Sequence, residues 1–293
     1  MKALIAVDPC ATFKPALNLL KRLDFQEAQY AFASVSTPYV EYAFGMMPSA
    51  SMVVPAAHSQ REAAEHAVAS AVDQSGIAAA ERIVEEGAVP SSLMRIAREH
   101  GCDLIAAAST LRRTANPWQI GSVTRKLALA SEQSVLITKD TAEREGSVKA
   151  VFATDHSEYA KACLEMLLDW RPRGIGEIVV VTAFNLDKAT EDVLKDDTQI
   201  ALDFQKWVDE EAKCLAEGAA AALHAIAPKV STFVEEGEPN DVIEAAMMSS
   251  KSELLILGAQ GHGLLERLLI GSTSMHQALV EPYPVLLLRV PHD

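Results

Sequence analysis

The feature that most constrains this chain is an internal repeat. The four residues VEEG occur at 84–87 and again at 234–237, an offset of 150 residues (234 − 84). The same offset aligns DLI at 103–105 with ELL at 253–255, GS at 121–122 with GS at 271–272, and VLI at 135–137 with VLL at 285–287. Several matches in one register indicate a tandem duplication. Any fold for the chain must therefore be built twice.

The first residues of the two halves also match, at a slightly shorter offset. KALIAVD, ending at Asp8, aligns with KAVFATD, ending at Asp155, which is 147 residues later (155 − 8). The polar stretch KDTAEREGS at 139–147 has the composition of a junction between two domains. We predict two domains, at residues 1–140 and 148–293.

Each half alternates strand and helix patterns, most clearly the second. VKAVFAT at 148–154 and ELLILG at 253–258 are apolar runs typical of buried strands. PNDVIEAAMMSS at 239–250 has a proline at its start and apolar residues at helical spacing, a pattern that predicts a helix. Strands and helices that alternate in this way predict an α/β fold, a doubly wound parallel sheet with helices on both faces.

Composition excludes some classes of partner. The chain has 26 Lys and Arg against 40 Asp and Glu, a net charge of −14, which repels nucleic acid and anionic membranes. The N-terminal apolar run ends at Asp8, too short for a signal peptide or a membrane span. The 4 cysteines lack metal-ligand spacing. We expect a cytoplasmic protein with free thiols and no contact with nucleic acid or membrane.

Glycines cluster after the fourth strand of the second half, in GAQGHG from Gly258 and again at Gly271. Ligands of open α/β sheets bind beyond the carboxyl ends of strands, where Asp155 also lies. A helix that starts after Gly271 would direct its first N–H groups into the same space, which favours a phosphate chain and a divalent cation. The spacing matches neither the dinucleotide fingerprint nor a P-loop. Tight turns without a ligand are the alternative.

The pattern Gly258-x2-Gly261-x9-Gly271-Ser272, with Asp155 after the first strand and PVLLL at 284–288, resembles the ATP-binding loop of the universal stress proteins, the UspA-like family. The resemblance covers both halves, so the chain is similar to a tandem-domain member. It implies a five-stranded parallel sheet in each half, in the order 3-2-1-4-5 of the adenine nucleotide alpha hydrolase-like fold. It also implies that the last strands of the two halves pair about a pseudo-twofold axis.

The resemblance also implies a site for ATP with Mg²⁺ in the second half. Asp155 and the backbone at Ala183 would meet the adenine, and Gly258 and Gly261 would let the chain approach the ribose and phosphates. The whole set of expected ATP contacts is Ala153, Thr154, Asp155, Ala183, Gly258, Gln260, Gly261, His262, Gly271, Ser272 and Thr273.

The first half departs from this pattern. Ala108 stands where the second half has Gly258, and Leu111 stands where it has Gly261, while Gly121 is retained. A leucine side chain would intrude on the nucleotide and would remove the freedom to adopt positive φ. We predict that this loop is degenerate and does not bind ATP in the family manner. Its sequence LRRTANPW at 111–118 is interpreted as a solvated loop, with a different anionic or hydrophobic ligand as the alternative.

The expected function is regulatory. His156 and His262 lack a serine or cysteine nucleophile with a carboxylate partner, so we predict no catalytic residue and at most slow ATP hydrolysis. The chain would act as a nucleotide-dependent stress-survival factor with a protein partner in stress signalling. It would be either a monomer with pseudo-twofold domains or a homodimer. The alternatives are a slow ATPase or nucleotidyl-transfer enzyme of the same fold, and a protein-binding module that needs no nucleotide.

Overall fold

The computed structural model describes residues 1–37, 50–77, 79–109, 121–139, 144–185, 198–261 and 270–290. The first half consists of β1 Lys2–Ala6, α1 Lys14–Leu23, β2 Gln29–Ser36, α2 Ala50–Ser75, β3 Glu81–Glu86, α3 Val89–Glu99, β4 Leu104–Ser109, α4 Ser122–Ala130 and β5 Ser134–Lys139. The second half repeats this order with β6 Val148–Ala153, α5 Glu158–Trp170, β7 Ile175–Phe184, α6 Thr198–Leu223, β8 Lys229–Glu236, α7 Pro239–Ser250, β9 Leu254–Gly258, α8 Ser272–Leu279 and β10 Val285–Leu288.

All the described strands belong to one sheet, in the order β3-β2-β1-β4-β5-β10-β9-β6-β7-β8. Within each half the order is 3-2-1-4-5 and neighbouring strands are parallel. The last strands of the halves pair antiparallel, with Val285 opposite Ile137 and Leu287 opposite Val135. The predicted fold class is confirmed. The two five-stranded sheets also continue into each other across the pair β5–β10.

Helices cover both faces of this sheet, which explains the continuous apolar strands. All five residues of β9 are buried. Buried side chains of α1, α2, α5 and α6 form one core with the strands, and those of α3, α4, α7 and α8 form the other. Each core contains residues of both halves, so burial of apolar surface holds the halves together as well as each half alone. No helix in the described ranges has both the length and the apolarity to span a membrane.

Two buried cations cross between the halves. Lys139 Nζ donates a hydrogen bond of 2.6 Å to the carbonyl of Ala278 in α8, and Arg289 Nη2 donates one of 2.6 Å to the carbonyl of Ala128 in α4. The two contacts correspond under the 150-residue offset (289 − 139 and 278 − 128). Both carbonyls lie in the last turn of a helix, where the macrodipole is negative and favours a cation.

Candidate functional site

A cleft of about 550 Å³ opens beyond the carboxyl ends of β6 and β9, where the strand order of the second half reverses. Every expected ATP contact that the structure describes lines this cleft; His262 lies outside the described residues. These lining residues are Ala153, Thr154, Asp155, Ala183, Gly258, Gln260, Gly261, Gly271, Ser272 and Thr273. The position agrees with the general rule for ligand sites in open α/β sheets.

Asp155 stands at one side of the cleft and is fixed by the start of α5. The backbone N–H and the hydroxyl of Ser157 both donate to Asp155 Oδ1, at 3.1 and 2.7 Å. Ser157 is the N-cap of α5, and its Oγ accepts a hydrogen bond of 3.2 Å from the backbone N–H of Ala160. The carboxylate is therefore held in one orientation, where it can accept hydrogen bonds from a ligand.

His156 has a structural position beside the cleft. Its backbone lies in the left-handed region with φ 58°. Its N–H donates to Thr154 Oγ1 at 3.0 Å, and its ring Nε2 lies 2.8 Å from Thr182 Oγ1. These contacts tie the ends of β6 and β7 together. His156 is not among the described residues that line the cleft.

Gly261 brings main chain against the carboxylate of Asp155. A Cβ added at Gly261 would lie 3.1 Å from Asp155 Oδ2, which is tighter than an ordinary van der Waals contact. Its φ is not positive, and neither is that of Gly258 or Gly271. The expectation that a glycine is needed at 261 for positive φ is wrong. A glycine fits at this position because the main chain passes close to the Asp155 carboxylate.

Gly258 approaches the helix α5, a contact that the sequence pattern does not predict. Its added Cβ would lie 3.1 Å from Tyr159 Cε1 and 3.3 Å from Cys163 Sγ. Burial raises the pKa of the Cys163 thiol to about 12 and also raises the pKa of Tyr159, whose hydroxyl donates to the Leu288 carbonyl at 3.2 Å. Both side chains therefore stay protonated at neutral pH and serve packing.

The N-terminus of α8 forms the polar end of the cleft. Its N-cap, Gly271, has no side chain that could accept from the first-turn N–H groups of Ser272, Thr273 and Ser274. Two bonds fix this helix start to the end of β9. Gly271 N donates to the Ala259 carbonyl at 2.8 Å, and Ser274 Oγ donates to the Gly258 carbonyl at 2.7 Å. Uncapped N–H groups at a helix start can bind an anion.

The same cleft also has an apolar wall. It consists of side chains from β7, β9, the first turns of α7 and the residue before Gly271, namely Val181, Ala183, Pro239, Ile243, Leu257 and Ile270. Ala183 is the one residue of this wall among the ATP contacts expected from the sequence. Pro239 and Ile243 could have been found from their spacing, because residues four apart share a face at the start of a helix that follows β8.

The comparison with protein families agrees with this architecture. The model of the universal stress protein family matches residues 1–139 and again residues 148–289. The chain belongs to the universal stress protein family.

Solved structures show the same tandem fold. A universal stress protein from Archaeoglobus fulgidus superposes with a TM-score of 0.62 at 19% identity, covering 98% of each chain. A functionally unknown protein from Pseudomonas aeruginosa PAO1 gives a TM-score of 0.63 at 12% identity, covering 99% of this chain and 92% of that one.

A universal stress protein of Thermus aquaticus is 32% identical over 62 residues, which are 21% of this chain and 45% of that relative. This match therefore spans less than half of the relative's length.

The equivalent aspartate in the first half of this universal stress protein, Asp8, also accepts hydrogen bonds from the turn that follows it. Asp8 Oδ1 accepts from the Thr12 backbone N–H and hydroxyl, at 2.8 and 2.5 Å, and Asp8 Oδ2 accepts from Cys10 N at 3.0 Å. Both carboxylate oxygens thus bind the chain's own turn. Leu111 and the rest of the loop at 111–118 lie outside the described residues.

The described residues contain no group of three or more His, Cys, Asp and Glu side chains arranged to hold a metal ion.

Proposed function

We propose that this tandem universal stress protein binds ATP in the cleft of its second half and acts as a nucleotide-dependent regulator of stress survival. The observation that carries the proposal is the pairing, within one cleft, of an apolar wall with an uncapped helix N-terminus. The adenine packs between Ala183 and Ile243 and is hydrogen-bonded near Asp155. The phosphates lie along Gly261 and reach the N–H groups of Ser272 and Thr273.

The energetics require all parts of the cleft. A helix N-terminus contributes only about 0.3–1 kcal/mol toward an anion, whereas micromolar affinity needs about 8 kcal/mol. Burial of the adenine against the apolar wall supplies a large share, because apolar contacts contribute about 25 cal/mol per Å². A net charge of −14 opposes the approach of a free triphosphate, so ATP binds with Mg²⁺, which the phosphates themselves coordinate.

Binding without fast turnover fits the chemistry of the lining. Among the described lining residues, Asp155 is the one titratable side chain, and Ser157 already donates twice to its Oδ1. Fast hydrolysis would need a general base that positions a water at the terminal phosphate. We therefore assign the site to nucleotide binding, with hydrolysis at most slow.

Calorimetric titration with Mg-ATP tests the assignment on wild type, Gly261→Leu and Gly218→Leu. Gly261→Leu copies Leu111 of the first half and presses a side chain against Asp155, so we expect affinity to fall by about 100-fold or more, the scale of a lost set of charge-assisted contacts. Gly218 lies in α6 with nothing within 4 Å of an added Cβ, so Gly218→Leu should bind as wild type does.

Equal binding by wild type and Gly261→Leu would show that the loop assignment is wrong. Absence of binding by wild type would favour a protein-binding module that needs no nucleotide. The rate of phosphate release from ATP, measured on the same wild-type sample, distinguishes the two remaining functions. Little or no release supports a regulator that binds ATP, and steady release supports an ATPase.

A further inference from the structure

A second cavity, of about 690 Å³, lies between the two halves. The first half contributes the turns before β4 and β5, including Cys102 and Gln133. The second half contributes Met166 and Trp170 of α5, and Arg289 after β10. A volume of this size accommodates a small metabolite.

Arg289 brings a buried positive charge to this cavity. The residue is only 6% exposed, and Nη2 is bonded to the carbonyl of Ala128 at 2.6 Å. Its Nε is buried without a hydrogen-bond partner, and no carboxylate in the described ranges pairs with the guanidinium. A buried cation without a paired counter-charge is unfavourable, so an anion that reaches it gains a strong partner. The lining also contains a second guanidinium, Arg98, and two carboxylates, Asp103 and Glu132. The favourable position for an anion is therefore beside Arg289.

Rigid apolar side chains lie beside this charge. Trp170 is 7% exposed, and its ring is held edge-to-face against Phe25 with centroids 5.9 Å apart. Met166 and Tyr159 of the same helix complete this side of the cavity. Buried aromatic surfaces of fixed orientation favour an apolar ligand body.

The pseudo-twofold counterpart of this cavity contains an ion pair. There Arg22 of α1 donates to both carboxylate oxygens of Glu253, at 2.8 and 2.5 Å, and both side chains are nearly buried. The corresponding residues of the other junction are Asp169 and Asp103, at offsets of 147 (169 − 22) and 150 (253 − 103), and of these two Asp103 lines the cavity. Two acidic residues cannot form such a pair, and Asp103 instead accepts from the backbone N–H of Lys2 at 2.7 Å. An ion pair thus bridges one junction, whereas the other contains the cavity.

We propose that the cavity is a second ligand site, for a small organic anion with an apolar body. Its carboxylate, sulfonate or phosphate group pairs with the guanidinium of Arg289, and its body packs on Met166 and Trp170. Gln260 lines both this cavity and the cleft at β6 and β9. A ligand here therefore contacts the same loop residue as an occupant of the cleft.

Fluorescence titration with 1-anilinonaphthalene-8-sulfonate, an aromatic sulfonate that brightens in apolar sites, tests the proposal on the full chain. We expect one saturable site in wild type. Arg289→Met keeps an unbranched apolar stem but removes the charged guanidinium, and should weaken dye binding by about tenfold or more, as loss of a buried charge pair does. Arg289→Lys should retain part of the affinity because the charge remains.

Two substitutions on α5 keep the test valid if Arg289→Met does not fold. Met166→Trp narrows the cavity at the surface where the body of the ligand is proposed to pack, and should weaken dye binding. Glu165→Trp adds the same side chain at the adjacent, exposed position and should leave dye binding unchanged. Gly261→Leu, which narrows the other cleft, should also leave it unchanged, so this result is independent of ATP binding. No saturable binding by wild type, or equal binding by wild type and Met166→Trp, would overturn the proposal.

Discussion

Gly258 shows how one residue can satisfy a sequence motif for a reason that the motif does not state. Its main chain passes so close to α5 that an added Cβ would lie 3.1 Å from the Tyr159 ring and 3.3 Å from Cys163 Sγ. Tyr159 is itself held by its hydrogen bond to the Leu288 carbonyl, so it has little room to move. The glycine is therefore required by packing between a strand end and a helix.

Gly258→Ala should destabilise the protein by about 1–3 kcal/mol, the usual range for an added group in a packed core. Urea unfolding followed by circular dichroism measures this change. Gly218→Ala is the matched control, because its Cβ would meet nothing within 4 Å and alanine is the better helix former. A Gly258→Ala protein as stable as wild type would show that α5 yields to the methyl group.

The sequence located the cleft well but explained its glycines poorly. The rule that ligands bind beyond the carboxyl ends of strands, together with the strand order implied by the family resemblance, predicted that Asp155, Gly261 and Gly271 lie at one edge of the sheet. Spacing could not distinguish a glycine at positive φ from one that faces a carboxylate or a tyrosine ring. That distinction depends on contacts between residues about a hundred positions apart, which a linear motif does not contain.

Helix α8 begins without a side-chain cap, so its first-turn N–H groups remain available to a ligand. Gly271 has φ −64° and ψ 152°, a conformation open to any residue, and an added Cβ would have 3.7 Å to its nearest neighbours. Neither backbone strain nor crowding therefore requires glycine at this N-cap. Its equivalent in the first half, Gly121, is the N-cap of α4, also has no positive φ and has nothing within 4 Å of an added Cβ.

Gly271→Asp should separate helix capping from ligand binding. The new carboxylate accepts from the first-turn N–H groups, so stability should stay level or rise by about 0.3–1 kcal/mol. The same carboxylate takes the proposed place of a phosphate and repels it, so Mg-ATP affinity should fall by about tenfold or more. Thermal unfolding and calorimetry on one preparation give both values.

Gly121→Asp is the matched control for this change. It caps α4 in the same way but lies in the half that is predicted not to bind ATP, so it should alter stability alone. If Gly271→Asp leaves ATP affinity intact, the phosphates do not lie at the start of α8.

At the scale of the whole molecule, the junction between the halves contains charge as well as apolar surface. Lys139 is completely buried, and burial lowers the pKa of its ammonium group from 10.5 to about 8. The resemblance to the family predicted that the last strands would pair. It could not predict this lysine, because a repeat offset identifies equivalent positions and not the atoms that meet across the axis.

The lowered pKa of Lys139 predicts a particular dependence of stability on pH. Below pH 8 the folded and unfolded chains both bind this proton; between pH 8 and 10.5 only the unfolded chain retains it. The unfolding free energy of wild type relative to Lys139→Met should therefore be constant below pH 8. It should rise across that window, by up to about 3 kcal/mol.

Urea unfolding of both proteins between pH 6.5 and 10 measures this difference, with Lys126→Met, an exposed lysine of α4, as the control that should show no such rise. A difference that remains constant across the range would mean that the Lys139 ammonium is as well stabilised inside the protein as in water.

The connection from Lys139 to Val148 keeps β5 and β10 on one polypeptide, so their pairing is a first-order event that dilution does not reverse. It also allows the two halves to differ in sequence. In a dimer of identical subunits, every mutation occurs in both subunits, so a change at one junction or in one cleft is repeated at the other. Here the Arg22–Glu253 ion pair bridges one junction, whereas the other has Asp169 and Asp103 at the equivalent positions and contains a cavity; likewise Leu111 in one half coexists with Gly261 in the other. Fusion within a single gene thus allows each side to be selected separately.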